Sequence, residues 1–293
     1  MYPARRVLYL KLVLMAVFWS GVFPAVSILL KSMGLYTSVF LRFSLAAAIL
    51  LMLLRWREPR LPRLSPREFV MVLVLGIFGI SVYNCLFSYG LTLVEASRAA
   101  LIVPTNPAVT ALFAALLLKE RLGAVRAAGV VLSVLGALWV LARGDFHVLA
   151  NLDFGKGEAV LVACVFMWSA YTLLGRVALS TLSPLALTGY VMAFGALSLA
   201  PFAWLEESSL AGVTWQGWTA LGYLVVFGTV LPFLWFYEGV KTLGAARASQ
   251  FINLVPPIAV VEAMLLLDES ITPGLLAGMA LVAAGLYLTN KPR

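Results

Sequence analysis

The chain contains one sequence pattern twice. Residues 89–138 align without a gap with residues 238–287, an offset of 149 residues, and 14 of these 50 aligned positions are identical. The same offset carries Trp19 onto Trp168. Self-similarity at a fixed offset predicts a fold made of two copies of one structural unit. The identical pairs include Gly90 with Gly239, Arg98 with Arg247, Pro107 with Pro256, Glu120 with Glu269, Gly129 with Gly278 and Gly136 with Gly285.

The composition is typical of a membrane protein. Hydrophobic residues make up 62% of the chain and charged residues 12%, and the mean hydropathy is +1.00. Apolar runs of about 20 residues recur, the length that a helix needs to cross a bilayer. Because lipid cannot satisfy free backbone amides, these runs are expected to be helical. The sequence therefore predicts an all-α membrane protein with ten transmembrane helices, at 8–30, 36–54, 68–91, 97–118, 124–142, 157–178, 184–204, 216–240, 246–267 and 273–290.

The distribution of Lys and Arg predicts the orientation. One set of alternate connections carries 16 of these residues and the other set carries 4, and the basic side of a multi-pass protein faces the cytoplasm. We therefore expect both termini in the cytoplasm of a bacterium or archaeon, with the chain in the inner (cytoplasmic) membrane. Because five spans is an odd number, the second unit (157–290) is expected to be inverted relative to the first (1–143). Such a 5+5 inverted repeat is the usual architecture of alternating access; a duplication kept only for packing is the alternative.

The sequence does not contain the residue patterns typical of nucleic-acid binding, metal binding or enzyme catalysis. The net charge of +8 comes from short hydrophilic connections, and no basic stripe with interleaved aromatic residues indicates nucleic-acid binding. Cys85 and Cys164 lie in apolar runs, and His147 is the only histidine, so no metal site is expected. No nucleotide-binding or protease motif predicts an enzyme or a cofactor. The expected partners are the lipid bilayer and a small-molecule substrate, with a monomer or a homodimer both open.

A longer pattern resembles a known family. In each copy a run of small residues is followed by a proline, an apolar run and a glutamate (Ala96–Glu120 and Ala245–Glu269), and then by a glycine-spaced helix. Arg42 and Phe43 in the second span add to the likeness, which is to the EamA-type transporters of the drug/metabolite transporter superfamily. The resemblance implies a ten-helix inverted repeat whose central cavity is formed mainly by the first, third, fourth, sixth, eighth and ninth helices. It also implies export or exchange of small metabolites, but the fold alone does not indicate which metabolite is carried.

Prolines in the fourth and ninth spans predict broken helices near the middle of the membrane. Such residues remove amide donors and free backbone carbonyls, which are tolerated at that depth only inside protein or against a cavity. Either the kinks are purely structural or they also line the cavity, where two nearby amides, Asn106 and Asn253, would contact substrate. The predicted kink residues are Pro104, Pro107, Pro256 and Pro257.

Aromatic and polar residues well inside the spans are candidates for substrate binding. Trp19 and Trp168 are repeat mates that lie away from the membrane interface, where tryptophan is commonest. Aromatic rings that face a cavity stack on flat or cationic ligands; the alternative is that they fill space between helices or face lipid. The predicted set is completed by Ser20, Tyr83, Asn84, Tyr171 and Trp235.

Charged residues inside a membrane are costly and therefore candidates for function. A carboxyl removed from water tends to bind a proton, as a proton-coupled carrier requires, so Glu262 and Glu238 are the candidates for coupling. A structural ion pair or a solvated carboxylate is the alternative for both. Arg42 is predicted to bind a carboxylate or phosphate, or to pair with an acidic residue.

Glycines suggest where helices pack and bend. Gly136 and Gly278 belong to small-residue faces that predict close helix packing, either inside each half or in a dimer contact. Gly79 and its mate Gly228 are expected to let their helices flex. Together these features predict a secondary active transporter, an exporter or exchanger of a small organic metabolite such as an amino acid. A non-transporting membrane scaffold or sensor with the same fold is the alternative.

Overall fold

In the computed structural model, every regular element of the described residues is helical. The structure describes residues 3–58, 63–106, 108–110, 113, 124–141, 144–145, 155–244, 248–268, 270 and 272–289. The α-helices are α1 (Pro3–Ser20), α2 (Val22–Leu29), α3 (Leu35–Arg57), α4 (Pro66–Val74), α5 (Tyr83–Leu93), α6 (Ala96–Ile102), α7 (Ala124–Leu141), α8 (Lys156–Ala178), α9 (Pro184–Leu205), α10 (Trp215–Val225), α11 (Leu231–Leu243), α12 (Val255–Leu267) and α13 (Pro273–Thr289).

Two of the long helices contain a π-helical segment, and shorter 3-10 turns occur elsewhere. Leu75–Val82 joins α4 to α5 without a break, and Val226–Val230 joins α10 to α11 in the same way. The 3-10 turns are Val103–Thr105, Leu210–Gly212 and Gln250–Leu254. The turn at Gln250–Leu254 leads directly into α12.

Six helices are long and apolar enough, by length and composition, to cross a membrane: Arg6–Leu29, Leu35–Arg57, Pro66–Leu93, Lys156–Ala178, Pro184–Leu205 and Trp215–Leu243. Shorter apolar helices occur at Ala127–Val140, Phe251–Leu267 and Pro273–Gly285. Each of the ten predicted spans contains helix in its described part. The predicted span at 97–118 is helical from α6 to residue 106 and at 108–110, and most of its remainder lies outside the described residues.

Polar residues beside the apolar runs fix where several helices begin. The Ser65 hydroxyl accepts a hydrogen bond from the Glu68 backbone N–H, and the Glu68 side chain accepts one from the Ser65 N–H. This reciprocal arrangement satisfies amides that have no partner within the helix. Ser183 and Thr214 cap α9 and α10 in the simpler way, each through its hydroxyl.

The repeat mates α3 and α9 pack along their length and run antiparallel. The Glu206 carboxylate, just after α9, accepts hydrogen bonds from the Tyr36 and Thr37 N–H groups at 2.9 and 2.7 Å. At the other end, Glu58 after α3 accepts a hydrogen bond of 3.0 Å from the Ser183 hydroxyl, at the start of α9. Each helix therefore ends beside the beginning of its mate.

The repeat mates α7 and α13 also run antiparallel, and they touch through glycine. A Cβ atom added to Gly136 would lie 2.6 Å from the Val282 nitrogen, and one added to Gly278 would overlap the Val140 side chain. Small residues allow two helix backbones to approach closely where packing drives association. From the sequence, this glycine face is predicted to form either a contact inside each half or a dimer contact. The structure instead places it between the two halves of one chain.

Further contacts between the halves include a matching pair of central helices. Helix α1 packs on α11 and α2 on α10. The repeat mates of α1 and α11, which are α8 and α5, also pack on each other. The end of α5, at Leu93, lies against Gly157 at the start of α8. These two antiparallel contacts bring α1, α5, α8 and α11 together at the centre of the molecule, where a cluster of aromatic side chains is found.

Removal of the Glu206 carboxylate is expected to lower stability. Two backbone N–H groups at the start of α3 would lose their acceptor in Glu206→Ala, at a cost of about 1–2 kcal/mol. We expect the thermal midpoint of the purified protein in detergent to fall by about 2–4 °C for each kcal/mol lost. The thermal midpoint of Glu206→Gln should lie between those of Glu206→Ala and the parent. The control is the neighbouring exposed Glu207→Gln, and an equal midpoint for both Gln variants would contradict the capping role.

Candidate functional site

A small cavity lies where the central helices meet. Its volume is about 70 Å³, enough for a few water molecules but several times smaller than a site that encloses an organic metabolite. The lining residues come from both halves of the chain: Trp19, Val22, Phe23, Arg42, Tyr83, Asn84, Phe87, Val103, Asn106, Trp168, Phe233, Ile252 and Val255. These residues lie in the first, third, fourth, sixth, eighth and ninth predicted spans, which are the six that the resemblance implies. Arg42 adds the second predicted span.

Aromatic rings from four helices form the apolar wall of this cavity. Trp19 and Trp168 meet edge to face with their ring centroids 5.3 Å apart. The Trp168 ring also contacts Tyr83 at 5.4 Å and Phe233 at 5.7 Å. Edge-to-face rings at these separations attract one another beyond the gain from buried area. The two tryptophans, which occupy equivalent positions in the two repeats, are therefore in direct contact in the structure.

Two amides place polar groups on the cavity. Asn84 is buried, and its Nδ2 donates a hydrogen bond of 2.8 Å to the Ile80 carbonyl one turn earlier. Asn106 is also buried, and its backbone carbonyl accepts a hydrogen bond of 3.2 Å from the Ser169 hydroxyl on α8. Both amides line the cavity, so the structure adds hydrogen-bonding side chains to an otherwise largely aromatic and aliphatic lining.

Arg42 brings the one charge among the described lining residues. Its side chain extends from α3 and is 5% exposed. Nε donates a hydrogen bond of 2.7 Å to the Thr229 hydroxyl, and Nη2 donates one of 3.1 Å to the Gly228 carbonyl. The guanidinium also lies 4.9 Å from the centre of the Phe43 ring. The two hydrogen bonds fix the direction of the guanidinium, and no carboxylate in the described part of the chain pairs with it.

The acceptors of Arg42 lie in a π-helical segment, and the other π-helical segment occupies the equivalent place in the first half. The repeat mates Gly79 and Gly228 lie inside Leu75–Val82 and Val226–Val230. Segments of this kind are often found at functional sites because they interrupt the regular hydrogen-bond pattern of the α-helix. The expectation that these two glycines let their helices flex stays a prediction.

The helices that carry Asn106 and Asn253 change from α to 3-10 geometry beside their prolines. Pro104 lies in the turn Val103–Thr105, and the Thr105 hydroxyl donates a hydrogen bond of 2.7 Å to the Ile102 carbonyl. Pro256 and Pro257 lie in the first turn of α12, directly after the turn Gln250–Leu254. Pro107 lies outside the described residues. Within the proline-containing turn, a threonine side chain therefore bonds to a backbone carbonyl of its own helix.

Four predicted binding residues lie beside or behind the cavity lining. Tyr171 is buried behind Trp168, with ring centroids 5.5 Å apart. Ser20 is fully buried, and its hydroxyl donates to the Val17 carbonyl at 2.6 Å. Trp235 is half-buried and stacks on Phe18 at 6.0 Å. Asn253 is half-buried, and its Oδ1 has no hydrogen-bond partner among the described residues.

The two predicted proton-coupling carboxylates have different surroundings. Glu238 forms a part-exposed ion pair with Lys11, with Oε2 and Nζ 2.7 Å apart, that joins α11 to α1. Glu262 lies on α12 close to Ser20. Its Oε2 is buried without a hydrogen-bond partner among the described residues. Glu262 is thus a carboxylate on an apolar helix with one oxygen that has no hydrogen-bond partner among the described residues, whereas Glu238 is paired.

A second ion pair lies at the opposite end of the cavity from the Lys11–Glu238 pair. Arg98 at the start of α6 and Glu158 at the start of α8 are 2.9 Å apart and almost buried. The start of α8 lies against the end of α5, and the end of α5 shares a surface pocket with Lys31, just beyond α2. Lys11 lies on α1, on the far side of Trp19 from this pocket. The cavity therefore has an ion pair beyond each of its ends.

Several lining residues were absent from the predicted set. Phe23 is four residues after Trp19, so helical spacing alone places it on the same face as a predicted residue. Phe233 gave no such signal, because the residues around it (Leu231–Tyr237) are all apolar or aromatic. Arg42 was singled out by its charge but not assigned to the cavity.

The sequence was compared with those of known proteins. The profile described as the EamA-like transporter family matches residues 7–142 and 155–291. An uncharacterized transporter of Bacillus subtilis (strain 168), YyaM, is 32% identical over 75% of this chain and 73% of its own length. A probable terminal-alkyne amino-acid exporter of Streptantibioticus cattleyicolor is 27% identical over 96% of this chain and 92% of its own. One crystal structure of a protein with 20% sequence identity superimposes with a TM-score of 0.72 over 97% of both chains.

Proposed function

The chain belongs to the EamA-like transporter family, and from this premise we propose that it is a secondary active transporter that moves a small organic metabolite by alternating access. Membership of this family and the long apolar helices make it an integral membrane protein. The direction we propose is export or exchange across the cytoplasmic membrane, with both termini in the cytoplasm.

The observation that carries this proposal is the cavity shared by the two halves. Its lining combines Trp19 and Tyr83 from the first half with Trp168 and Phe233 from the second. A site between repeats, near helices that depart from α geometry, is where carriers of this type hold their substrate. A cavity of about 70 Å³ has to widen before a metabolite enters, so binding is tied to a change in how the halves pack.

We propose that the fold is a 5+5 inverted repeat of ten helices, with units at residues 1–143 and 157–290. The antiparallel packing of α3 on α9 and of α7 on α13 supports the inversion, because each pair consists of repeat mates. Two such units can exchange conformations, so that one side of the cavity closes as the other opens. The Lys11–Glu238 and Arg98–Glu158 pairs, at opposite ends, are the contacts that we expect to break in turn.

The substrate class that we propose is an amino acid or a similar small metabolite. Aromatic rings and two amides suit an organic solute with an apolar body and a few polar groups. The relative from Streptantibioticus cattleyicolor, a probable amino-acid exporter, supports the same class. Glu262 is the residue that we propose for proton coupling, because it is a carboxylate on an apolar helix with an oxygen that has no hydrogen-bond partner among the described residues.

Counterflow into proteoliposomes tests this function. Vesicles containing the purified protein are loaded with an unlabelled amino acid, and uptake of the same radiolabelled amino acid is followed at two pH values. We expect uptake well above that of protein-free vesicles, and a Glu262→Gln variant whose exchange has lost its pH dependence. A panel of amino acids, sugars and nucleosides that shows no uptake above protein-free vesicles would favour the scaffold or sensor instead.

A further inference from the structure

Arg42 is a buried cation whose hydrogen-bond partners within the described ranges are neutral groups. Neither the Lys11–Glu238 pair nor the Arg98–Glu158 pair includes it, and its hydrogen bonds go to a hydroxyl and a backbone carbonyl. No carboxylate of the described residues pairs with it. A buried charge whose hydrogen-bond partners are all neutral costs several kcal/mol in a medium of low dielectric constant. Something other than stability therefore accounts for a guanidinium at this position.

The second half of the chain provides an internal comparison. The repeat mate of Arg42 is Val191, which is fully buried on α9. There the π-helical segment packs directly on the helix, since a Cβ on Gly76 would lie 3.0 Å from the Val191 carbonyl oxygen. The same contact between a second helix and a π-helical segment is thus made without any charge. Packing of these elements does not need an arginine.

From these observations we propose that Arg42 binds the carboxylate group of the transported solute, and this inference rests on the transport function proposed above. A guanidinium presents paired N–H donors that match the two oxygens of a carboxylate. The Thr229 and Gly228 acceptors hold it in place, and no hydrogen bond from its Nη1 goes to the described residues. One positive charge in the described lining balances one carboxylate and leaves a doubly charged phosphate uncompensated.

The aromatic wall completes the site for a solute that also carries an amine or an apolar chain. The faces of Trp19, Trp168 and Tyr83 border the same cavity as the guanidinium. Aromatic faces attract cationic groups and apolar groups alike. The arrangement therefore suits an α-amino acid, with its carboxylate on Arg42 and its remainder against the rings.

Paired probes test this assignment with the parent protein alone. Counterflow is measured for L-phenylalanine and L-leucine and for their amides and decarboxylated amines, which keep the side chain but lack the carboxylate. We expect the acids to be carried at least about tenfold faster than their partners, since hydrogen bonds to a charged group differ by this much from neutral ones. Amides and amines carried as fast as the acids would overturn the inference and leave the transport function standing. A parent that carries other solutes of the panel but neither the acids nor their partners would also overturn the inference and leave transport standing, whereas a parent that carries no solute of the panel would overturn both.

Variants at position 42 give the second measurement. Arg42→Gln is expected to lower acid uptake by roughly 10- to 100-fold while leaving amide uptake unchanged, whereas Arg42→Lys should retain part of the acid uptake. The control is Arg57→Gln on the same helix, where the side chain is exposed. Equal loss of acid and amide uptake in Arg42→Gln, in protein that elutes like the parent from a sizing column, would show a structural role and contradict the inference. If Arg42→Gln does not fold, the comparison of probes on the parent decides.

Discussion

Trp168→Ala is expected to reduce uptake by about 10- to 100-fold, the loss that results when a central aromatic contact worth about 1.4–2.8 kcal/mol is removed. Trp168 is 6% exposed and contacts Trp19, Tyr83, Tyr171 and Phe233. Its removal takes away a ring that lines the cavity and enlarges that cavity. The measurement is the initial rate of counterflow, normalised to the amount of protein in the vesicles.

Graded variants separate the loss of the ring from general damage. Trp168→Phe keeps an aromatic face and should transport faster than Trp168→Ala, and Trp19→Ala should resemble Trp168→Ala because the two rings share one wall. Trp204→Ala serves as the control, since Trp204 is 85% exposed at the end of α9. If Trp19→Ala and Trp168→Ala both transported like the parent, the assignment of the cavity as the substrate site would be wrong.

Gly136→Leu is expected to lower the free energy of unfolding more than Glu206→Ala does. A side chain at this position meets the Val282 backbone nitrogen and the Leu281 side chain, and backbone cannot move aside as a flexible side chain can. Overpacking in a well-packed interior costs about 3 kcal/mol, which corresponds to a fall in thermal midpoint of roughly 6–12 °C. The measurement is thermal unfolding of the purified protein in detergent, together with its elution from a sizing column.

The matched control for this substitution is Gly222→Leu. Gly222 is exposed on α10, and a Cβ there meets no atom within 4 Å. We expect this variant to unfold within about 2 °C of the parent, because surface substitutions away from close contacts have small effects. Equal midpoints for Gly136→Leu and Gly222→Leu would show that the contact of α7 with α13 is not close in the folded protein.

The positions of the helices could be read from the sequence, because the length of each apolar run and the polar residues beside it are properties of neighbouring residues. Ser183, for example, marks the start of α9 by capping it. The repeat also identified Trp19 and Trp168, because an arrangement with two similar halves brings equivalent residues of the central helices to the same axis. These features depend on spacing along the chain alone.

The direction of individual side chains could not be read in the same way. A helix in lipid is apolar on the outside as well as the inside, so its sequence carries no polar stripe that would mark the face turned toward the cavity. In α11 the lining residue is Phe233, whereas Trp235 lies two positions further along and stacks on Phe18. The π-helical segment before α11 widens the turn and rotates the residues after it, which a count of 3.6 residues per turn misses.

The end caps of the α3–α9 pair have a mechanical consequence. Glu206 binds the first amides of α3 at one end, and Glu58 binds the Ser183 hydroxyl at the other. If α3 slid along α9 by a single turn, the hydrogen bonds at both ends would break at once, so the caps keep the overlap of the two helices constant. The end caps therefore favour tilting of the α3–α9 pair as one unit over sliding of one helix along the other.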